Sequence, residues 1–379
     1  MMQRKISDAS QQIDALDGLR GFAALIVVFS HTSNAKMYFL PGLDLRGTGK
    51  TGVLLFFVLS AFLLARPLLQ KGSAMISKSE MAHYWQRRFF RIYPLYTLYL
   101  LAGLISTYLI AHYMGKSDVG IPFSLSPGEF FRHMTLQEGK MVTWSIAVEF
   151  KFYFVLPVIA YGVFLLRDRL GFAAAIVGMF LLIAAVAIYS PQAASLPDDP
   201  RLTPYLPVFF GGILLAVLQA KIDQLGTPEQ IVRVLRVLGY VGLAGVAFMT
   251  PLVFSIYKSY TGGGWVPSNY FTRYFLELRL CWSLVLLSCV NVPGYLQRVF
   301  MWQPLRYFGA LSFSLYLFHI VFVEIAEKLS LSGYAGAYFV LATSTLASFL
   351  SFKIIEEPVS KFKLEKFFGR KAAKTSAGR

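Results

Sequence analysis

Apolar stretches of nearly uniform length run through this chain, separated by short polar connections. Ten of them read as membrane helices, at 19–37, 51–69, 91–113, 143–166, 171–190, 204–220, 231–257, 272–292, 305–327 and 332–355. A hydrocarbon core of ~30 Å needs about 20 apolar residues per helix, and each stretch is near that length. No internal repeat is visible, and the only biased segment is the terminal KFKLEKFFGRKAAKTSAGR. The pattern predicts an all-α integral membrane protein, a polytopic bundle of about ten transmembrane helices over 1–365, with a basic tail at 366–379. No stretch is long enough for a separate soluble domain, so any chemistry is expected in or beside the bilayer.

Composition agrees. Of 379 residues, 56% are hydrophobic and 15% charged, where a soluble domain has about 25% charged residues. Mean hydropathy is +0.56. The net charge of +16 would suggest nucleic acid in a soluble protein. Here the basic residues gather at helix ends and in the tail, which points to membrane orientation and to no nucleic-acid partner. With the N-terminus inside, the inner segments carry 24 Lys and Arg and the outer ones 10. An even number of spans then places both termini in the cytoplasm. The polar first 20 residues contain no apolar core of a cleavable signal. Cys281 and Cys289 share one span, eight residues apart, and read as packing residues. The longest outer connection, 114–142, contains Gly120, Pro122 and Pro127 and is expected to be partly irregular.

Against this background, ionisable residues at membrane depth mark function or pair with each other. Arg20 and His31 bracket GFAALIVVFS. Eleven helical steps return His31 to within about 20° of the face of Arg20 and ~16 Å deeper. A guanidinium at the cytoplasmic mouth and an imidazole half-way across describe an inward path. A snorkelling arginine and a histidine bonded to a neighbouring helix are the plainer alternative. Glu149, in TWSIAVEFKFYFVLP, lies at a depth similar to His31, ~9 Å below the outer surface. Its carboxylate is expected to orient the imidazole, with Glu149–Lys151 or Glu149–Arg pairing as the structural alternative. His319 lies ~20 Å in from Arg306, so three ionisable groups from three helices could meet at one level. Ser312, Ser314 and Tyr316 add hydroxyls to that span, where bonding between helices would also account for them. Arg88 and Arg91 share a helix face at the inner boundary. With Arg20 they suit a phosphate-rich ligand, since arginine binds phosphate bidentately. Glu356 and Glu357 are expected to pair with the basic tail, and Pro358 to end the last span. No Gly-rich phosphate loop and no metal-ligand spacing is found, so neither a nucleotide-driven pump nor a metal site is expected.

Five ordered motifs, LDGLRGFAALIVVFSH (16–31), FFVLSAFLL (56–64), RRFFRIYP (87–94), TWSIAVEFKFYFVLP (143–157) and LSFSLYLFH (311–319), resemble the acyltransferase family 3 membrane proteins. That family includes O-acetyltransferases of bacterial surface polysaccharides, peptidoglycan and lipopolysaccharide, and acyltransferases of some antibiotics. The resemblance covers nearly the whole chain. It implies a protein of the inner (plasma) membrane that transfers an acyl group, acetyl above all, from cytoplasmic acyl-CoA. The acceptor would be a hydroxyl of a saccharide or lipid-linked saccharide on the outer side. Acyl-CoA is then a donor substrate, with no permanently bound cofactor, and membrane lipids surround the chain. The family's essential Arg and His fall on Arg20 and His31, its Arg-x-x-Arg pair on Arg88 and Arg91, and its Trp-Ser and Val-Glu positions on Trp144, Ser145, Val148 and Glu149. CoA phosphates would bind Arg20, Arg88 and Arg91. His31 would act as general base or acyl carrier, with Glu149 orienting it and Trp144, Ser145, Tyr153 and His319 contacting substrate. Two departures stand out: Ala61 replaces the family's Gly in Ser-Gly-Phe, and Phe150-Lys151 follow Glu149 in place of Gln. A transporter or flippase of an anionic or sugar-linked solute, and a non-catalytic sensor or scaffold, are the competing readings; paired repeats and broken helices, expected of transporters, are not evident in the sequence.

Overall fold

The computed structural model describes residues 2–191, 199–263 and 274–360, with side chains from residue 14 onward. All regular structure among these residues is helical. The helices are α1 (Met2–Asn34), α2 (Gly49–Lys71), α3 (Lys78–Met114), α4 (Pro127–Met134), α5 (Thr143–Tyr189), α6 (Leu206–Leu225), α7 (Glu229–Met249), α8 (Leu252–Thr261), α9 (Phe275–Asn291), α10 (Tyr295–Phe300), α11 (Gln303–Ala310), α12 (Ser312–Lys328), α13 (Gly333–Ser351) and α14 (Glu357–Ser360). Among the described residues seven helical runs are long and apolar enough to cross a membrane, and α11 with α12 forms an eighth, bent by 81°. The 47-residue α5 breaks at Gly171 (φ 87°, ψ 176°) into two arms, and α9 adds a largely apolar helix of 17 residues. The arrangement is an all-α polytopic membrane fold, and each expected span has its helix.

The differences are local. α3 begins at Lys78, capped by the Ser77 side chain, well before the expected 91. Its early basic residues are good helix formers and need not enter hydrocarbon to remain helical. The expected seventh span stops at Thr250 and Pro251, beyond which α8 is a separate element. Part of the expected eighth span, and the tail, lie outside the described residues. Pro358 does not end the last span: a π-turn over Phe352–Glu356 re-aims the chain and α14 carries it on to Ser360. The 114–142 connection is partly irregular, as expected, and holds one short helix, α4. Ser126 and Glu129 close a capping box on α4.

α1 packs against α2, α9, α11 and α12 and so occupies the centre of the bundle. The glycines of LDGLRG explain how. A Cβ on Gly18 would fall 1.6 Å from the Phe300 carbonyl oxygen and one on Gly21 1.9 Å from that of Leu305. A Cβ on Gly309 would likewise lie 2.0 Å from the Asp17 carbonyl oxygen. Small residues allow backbones to approach this closely in apolar surroundings. The contact lodges Arg20 beside the α11–α12 break. The second motif is compensated in a similar way: the Ala61 methyl that replaces the family's glycine faces Gly212 on α6, whose own Cβ would lie 2.6 Å from it.

Candidate active site

Two helices, α1 and α3, bring the arginines together. Arg20 on α1 donates from Nη2 to Ser312 Oγ at 3.0 Å, the first residue of α12, and pairs with Asp17 at 3.6 Å. Arg88 on α3 lies over the Tyr153 ring, 5.8 Å from its centroid, and its buried Nε has no hydrogen-bond partner among the described residues. Arg91, one turn on, shares the same face. All three line a cavity of about 80 Å³ together with Ser60, Glu149 and Tyr316. They also line a second, larger cavity of about 400 Å³, where Arg87, Glu356 and Ser360 complete the wall. The two cavities form an outer vestibule and an inner chamber around one set of guanidiniums.

Glu149 faces this chamber. Its Oε1 accepts from Ser60 Oγ at 2.6 Å and from Tyr153 OH at 2.8 Å. No hydrogen bond joins it to His31, which corrects the expectation that it orients the imidazole. Depth alone cannot say which way a side chain points around its helix, and Glu149 points toward α2 and α3. Nor does Glu149 pair with Lys151, whose ammonium donates to the Pro200 carbonyl at 2.7 Å. Trp144 and Tyr153 are not free platforms for a sugar ring. Trp144 is 6% exposed, packed edge-on against Phe57 and beside Tyr205. Tyr153 is buried, spent on Glu149, and its carbonyl receives Tyr84 OH at 2.9 Å.

Ser145 and Tyr316 meet at the inner end of the chamber. Their hydroxyl oxygens lie 2.7 Å apart, and Tyr316 OH also donates to the Val142 carbonyl at 3.0 Å. Neither histidine lines the chamber. The expected path from the arginines to His31 is therefore interrupted at this hydroxyl pair. One turn along α12 from Tyr316 is His319, fully buried, its ring centroid 6.0 Å from that of Tyr316. His319 Nδ1 lies 3.0 Å from the Leu315 carbonyl oxygen and its Nε2 lies 3.2 Å from His31 Nδ1. Both of its ring nitrogens are engaged within the protein. His31 keeps partial exposure beside the start of α2, where a Cβ on Gly49 would lie 3.5 Å from the imidazole Cδ2.

Of the residues singled out in the sequence, Arg20, Arg88, Arg91, Ser145 and Glu149 meet around one chamber, and His31 meets His319. The half-buried carboxylate of Glu356, expected to pair with the tail, is a further member that the sequence does not reveal. Glu356 borders the vestibule within electrostatic reach of Arg91 and Arg20. The π-turn that aims it there has no signature in FKIIE. Ser60 is readable only as part of its motif. No group of three or more metal-ligating side chains occurs among the described residues.

The family model described as an acyltransferase domain matches residues 13–353. A Listeria monocytogenes peptidoglycan O-acetyltransferase, OatA, is 24% identical over 95% of this chain and 58% of its own length. A Staphylococcus aureus O-acetyltransferase, also OatA, is 24% identical over 95% of this chain and 59% of its own length. The chain thus spans somewhat more than half the length of these curated relatives. No solved structure matches it.

Proposed function

Because the chain belongs to acyltransferase family 3, whose domain occupies nearly all of it, we propose that it is a membrane O-acyltransferase moving an acyl group, acetyl first among them, from acyl-CoA to a hydroxyl of a cell-envelope saccharide. The arginine-lined vestibule would face the cytoplasm, with both termini on that side, in the inner membrane. The acceptor class follows the similar proteins, which are named for O-acetylation, one of them of peptidoglycan.

The observation that carries this reading is the meeting of Arg20, Arg88 and Arg91 around one chamber that runs to within a residue's reach of the histidine pair. CoA is polyanionic at one end and thin at the other. Its phosphates suit the guanidiniums, each capable of bidentate, charge-assisted bonds. Its pantetheine arm suits a narrow chamber lined by Ser60, Ser145 and Tyr316. Glu149 offsets part of the positive charge and holds the Ser60 and Tyr153 hydroxyls in place. For the thioester to reach His31, the Ser145–Tyr316 pair must part.

In the general-base route, His31 takes the proton of the acceptor hydroxyl. The freed oxygen attacks the thioester carbonyl, the carbon–sulfur bond breaks, and the CoA thiolate leaves and recovers the proton from His31. In the acyl-carrier route the imidazole nitrogen attacks first, CoA leaves as its thiol, and the acceptor oxygen then displaces the imidazole. Purified protein in proteoliposomes tests the reading. Acetyl-CoA with a saccharide acceptor should yield CoA thiol and an ester, and His31→Ala should abolish both while the protein remains folded. Full activity in that variant would remove His31 from the chemistry.

A further inference from the structure

The geometry of the histidine pair assigns a role to His319 that neither motif nor depth reveals. His319 Nδ1 is 3.0 Å from the Leu315 carbonyl oxygen. A carbonyl can only accept, so Nδ1 carries the hydrogen. In a neutral imidazole the other nitrogen is then a bare acceptor. That acceptor, Nε2, lies 3.2 Å from His31 Nδ1, so His31 must donate, and its own hydrogen is fixed on Nδ1. The nitrogen left without a hydrogen is His31 Nε2, the only position from which this ring can take a proton or an acyl group. The Leu315 carbonyl, one turn before His319 on α12, thus sets the tautomer of a ring on α1 through one intervening imidazole.

We infer that His319 is a positioning residue that holds His31 in the Nδ1–H tautomer and so presents Nε2 to substrate. The inference rests on the proposed role of His31 in acyl transfer. It differs from the hydrolase arrangement in which a carboxylate performs this task. Here the carboxylate at similar depth, Glu149, is bonded to Ser60 and Tyr153, and a neutral ring takes its place. The packing supports a fixed relay: His319 is fully buried, its ring is flanked by Tyr316, and the two imidazole centroids lie 5.0 Å apart.

The experiment has a spectroscopic arm and a kinetic arm. With only five histidines in the chain, ¹⁵N-histidine-labelled protein in lipid gives a simple spectrum, assigned by single substitutions. His31 should show a protonated Nδ1 and an unprotonated Nε2 in the unmodified protein at neutral pH. His319→Asn keeps a donor near the Leu315 carbonyl but cannot reach His31, and should convert the His31 signals to a tautomer mixture. It should lower kcat by about 100-fold or more, in line with tautomer loss in hydrolase triads, while the KM for acetyl-CoA stays within about threefold. His319→Gln can place its amide oxygen where Nε2 was and should restore kcat to within about tenfold of the unmodified protein. A His31 protonated on Nε2, or unchanged kcat in His319→Asn, would overturn the inference. Activity that survives His31→Ala would overturn the reading beneath it, and the tautomer measurement would still stand on its own.

Discussion

Arg20 reaches from α1 across the break between α11 and α12 and donates to Ser312 Oγ at 3.0 Å. The guanidinium has five donors, so this bond leaves others for a ligand. A lysine at this site has a single point charge and cannot hold the serine and a phosphate in the same fixed geometry. Arg20→Lys is therefore expected to raise the KM for acetyl-CoA by about tenfold, with Arg20→Ala raising it further. Steady-state kinetics in proteoliposomes decide it; an Arg20→Lys variant with unchanged KM would contradict a donor-binding role.

Tyr316 closes the chamber through its hydroxyl, which bonds Ser145 and the Val142 carbonyl. Tyr316→Phe retains the ring and removes both bonds, each worth about 1 kcal/mol. The passage toward His31 should open more often. The expected outcome is a rise of up to roughly thirtyfold in acetyl-CoA hydrolysis without acceptor, read as thiol release. Ser145→Ala should act in the same direction and less strongly, because Tyr316 keeps its bond to Val142.

Glu356 places a carboxylate beside the guanidiniums that are proposed to hold the donor phosphates. Before the donor arrives it offsets their charge, and afterwards it repels the phosphates. Glu356→Gln should lower the KM for acetyl-CoA by about three- to tenfold, equivalent to ~1 kcal/mol, and slow CoA release. If KM rises instead, Glu356 contacts the donor favourably and the electrostatic account fails.

The parts of this site that are legible in the amino-acid sequence are those that local geometry relates. Arg20 and His31 share one helix, and helical periodicity alone connects them. The Arg88–Arg91 pair is local in the same way. The partner of His31 is not legible, because Glu149 and His319 lie at comparable depth and only the rotation of α5 and α12 about their axes decides between them. The break at Leu311, which turns α11 and α12 by 81°, carries no proline, and it delivers Ser312 to Arg20. Glu356 escapes for a related reason: a π-turn shifts every later residue around the helix by a fraction of a turn, and hydropathy does not register it. The membrane spans are legible because they need only lengths, which the bilayer dictates.

On the opposite side of the bundle, His133 ties the α4 region together. Its Nδ1 lies 2.8 Å from the Glu129 carbonyl oxygen, and its Nε2 accepts the Lys140 amide at 3.1 Å. Burial pushes the imidazole below its ordinary 6.5. A proton on Nε2 would remove the acceptor. The unfolded segment therefore binds this proton more readily than the folded one, and the contribution present above pH 6.5 is lost as pH falls below it. Glu129 follows in the same direction. The hydrogen bond from Lys140, with the Ser126 amide, holds it down to about 2, so its contribution is present above the ordinary 4.5 and lost below. Hydrogen-exchange protection factors over 126–143, each taken against the intrinsic rate at the same pH, should fall in two stages as pH is lowered from 7.5 to 3.5. His133→Gln should remove the first stage; a profile identical to that of the unmodified protein would show that His133 does not control the segment.

The α1–α11 contact makes a prediction that separates packing from propensity. A methyl on Gly309 would sit 2.0 Å from the Asp17 carbonyl oxygen, a backbone atom that can move only if the helices part. Overpacking of a fitted contact costs about 1–3 kcal/mol, and here the displacement is transmitted to Arg20, three residues beyond Asp17 on the same face. Gly162, within the first arm of α5, has nothing within 4 Å of a built Cβ. Alanine there gains helix propensity of roughly 0.5–1 kcal/mol and meets no neighbour. Gly309→Ala should therefore lower both the thermal midpoint in detergent and the affinity for acetyl-CoA, and Gly162→Ala should raise the midpoint slightly and leave the affinity alone. Equal effects from the two substitutions would mean that glycine at 309 serves the helix and not the contact, and that the placement of Arg20 does not depend on it.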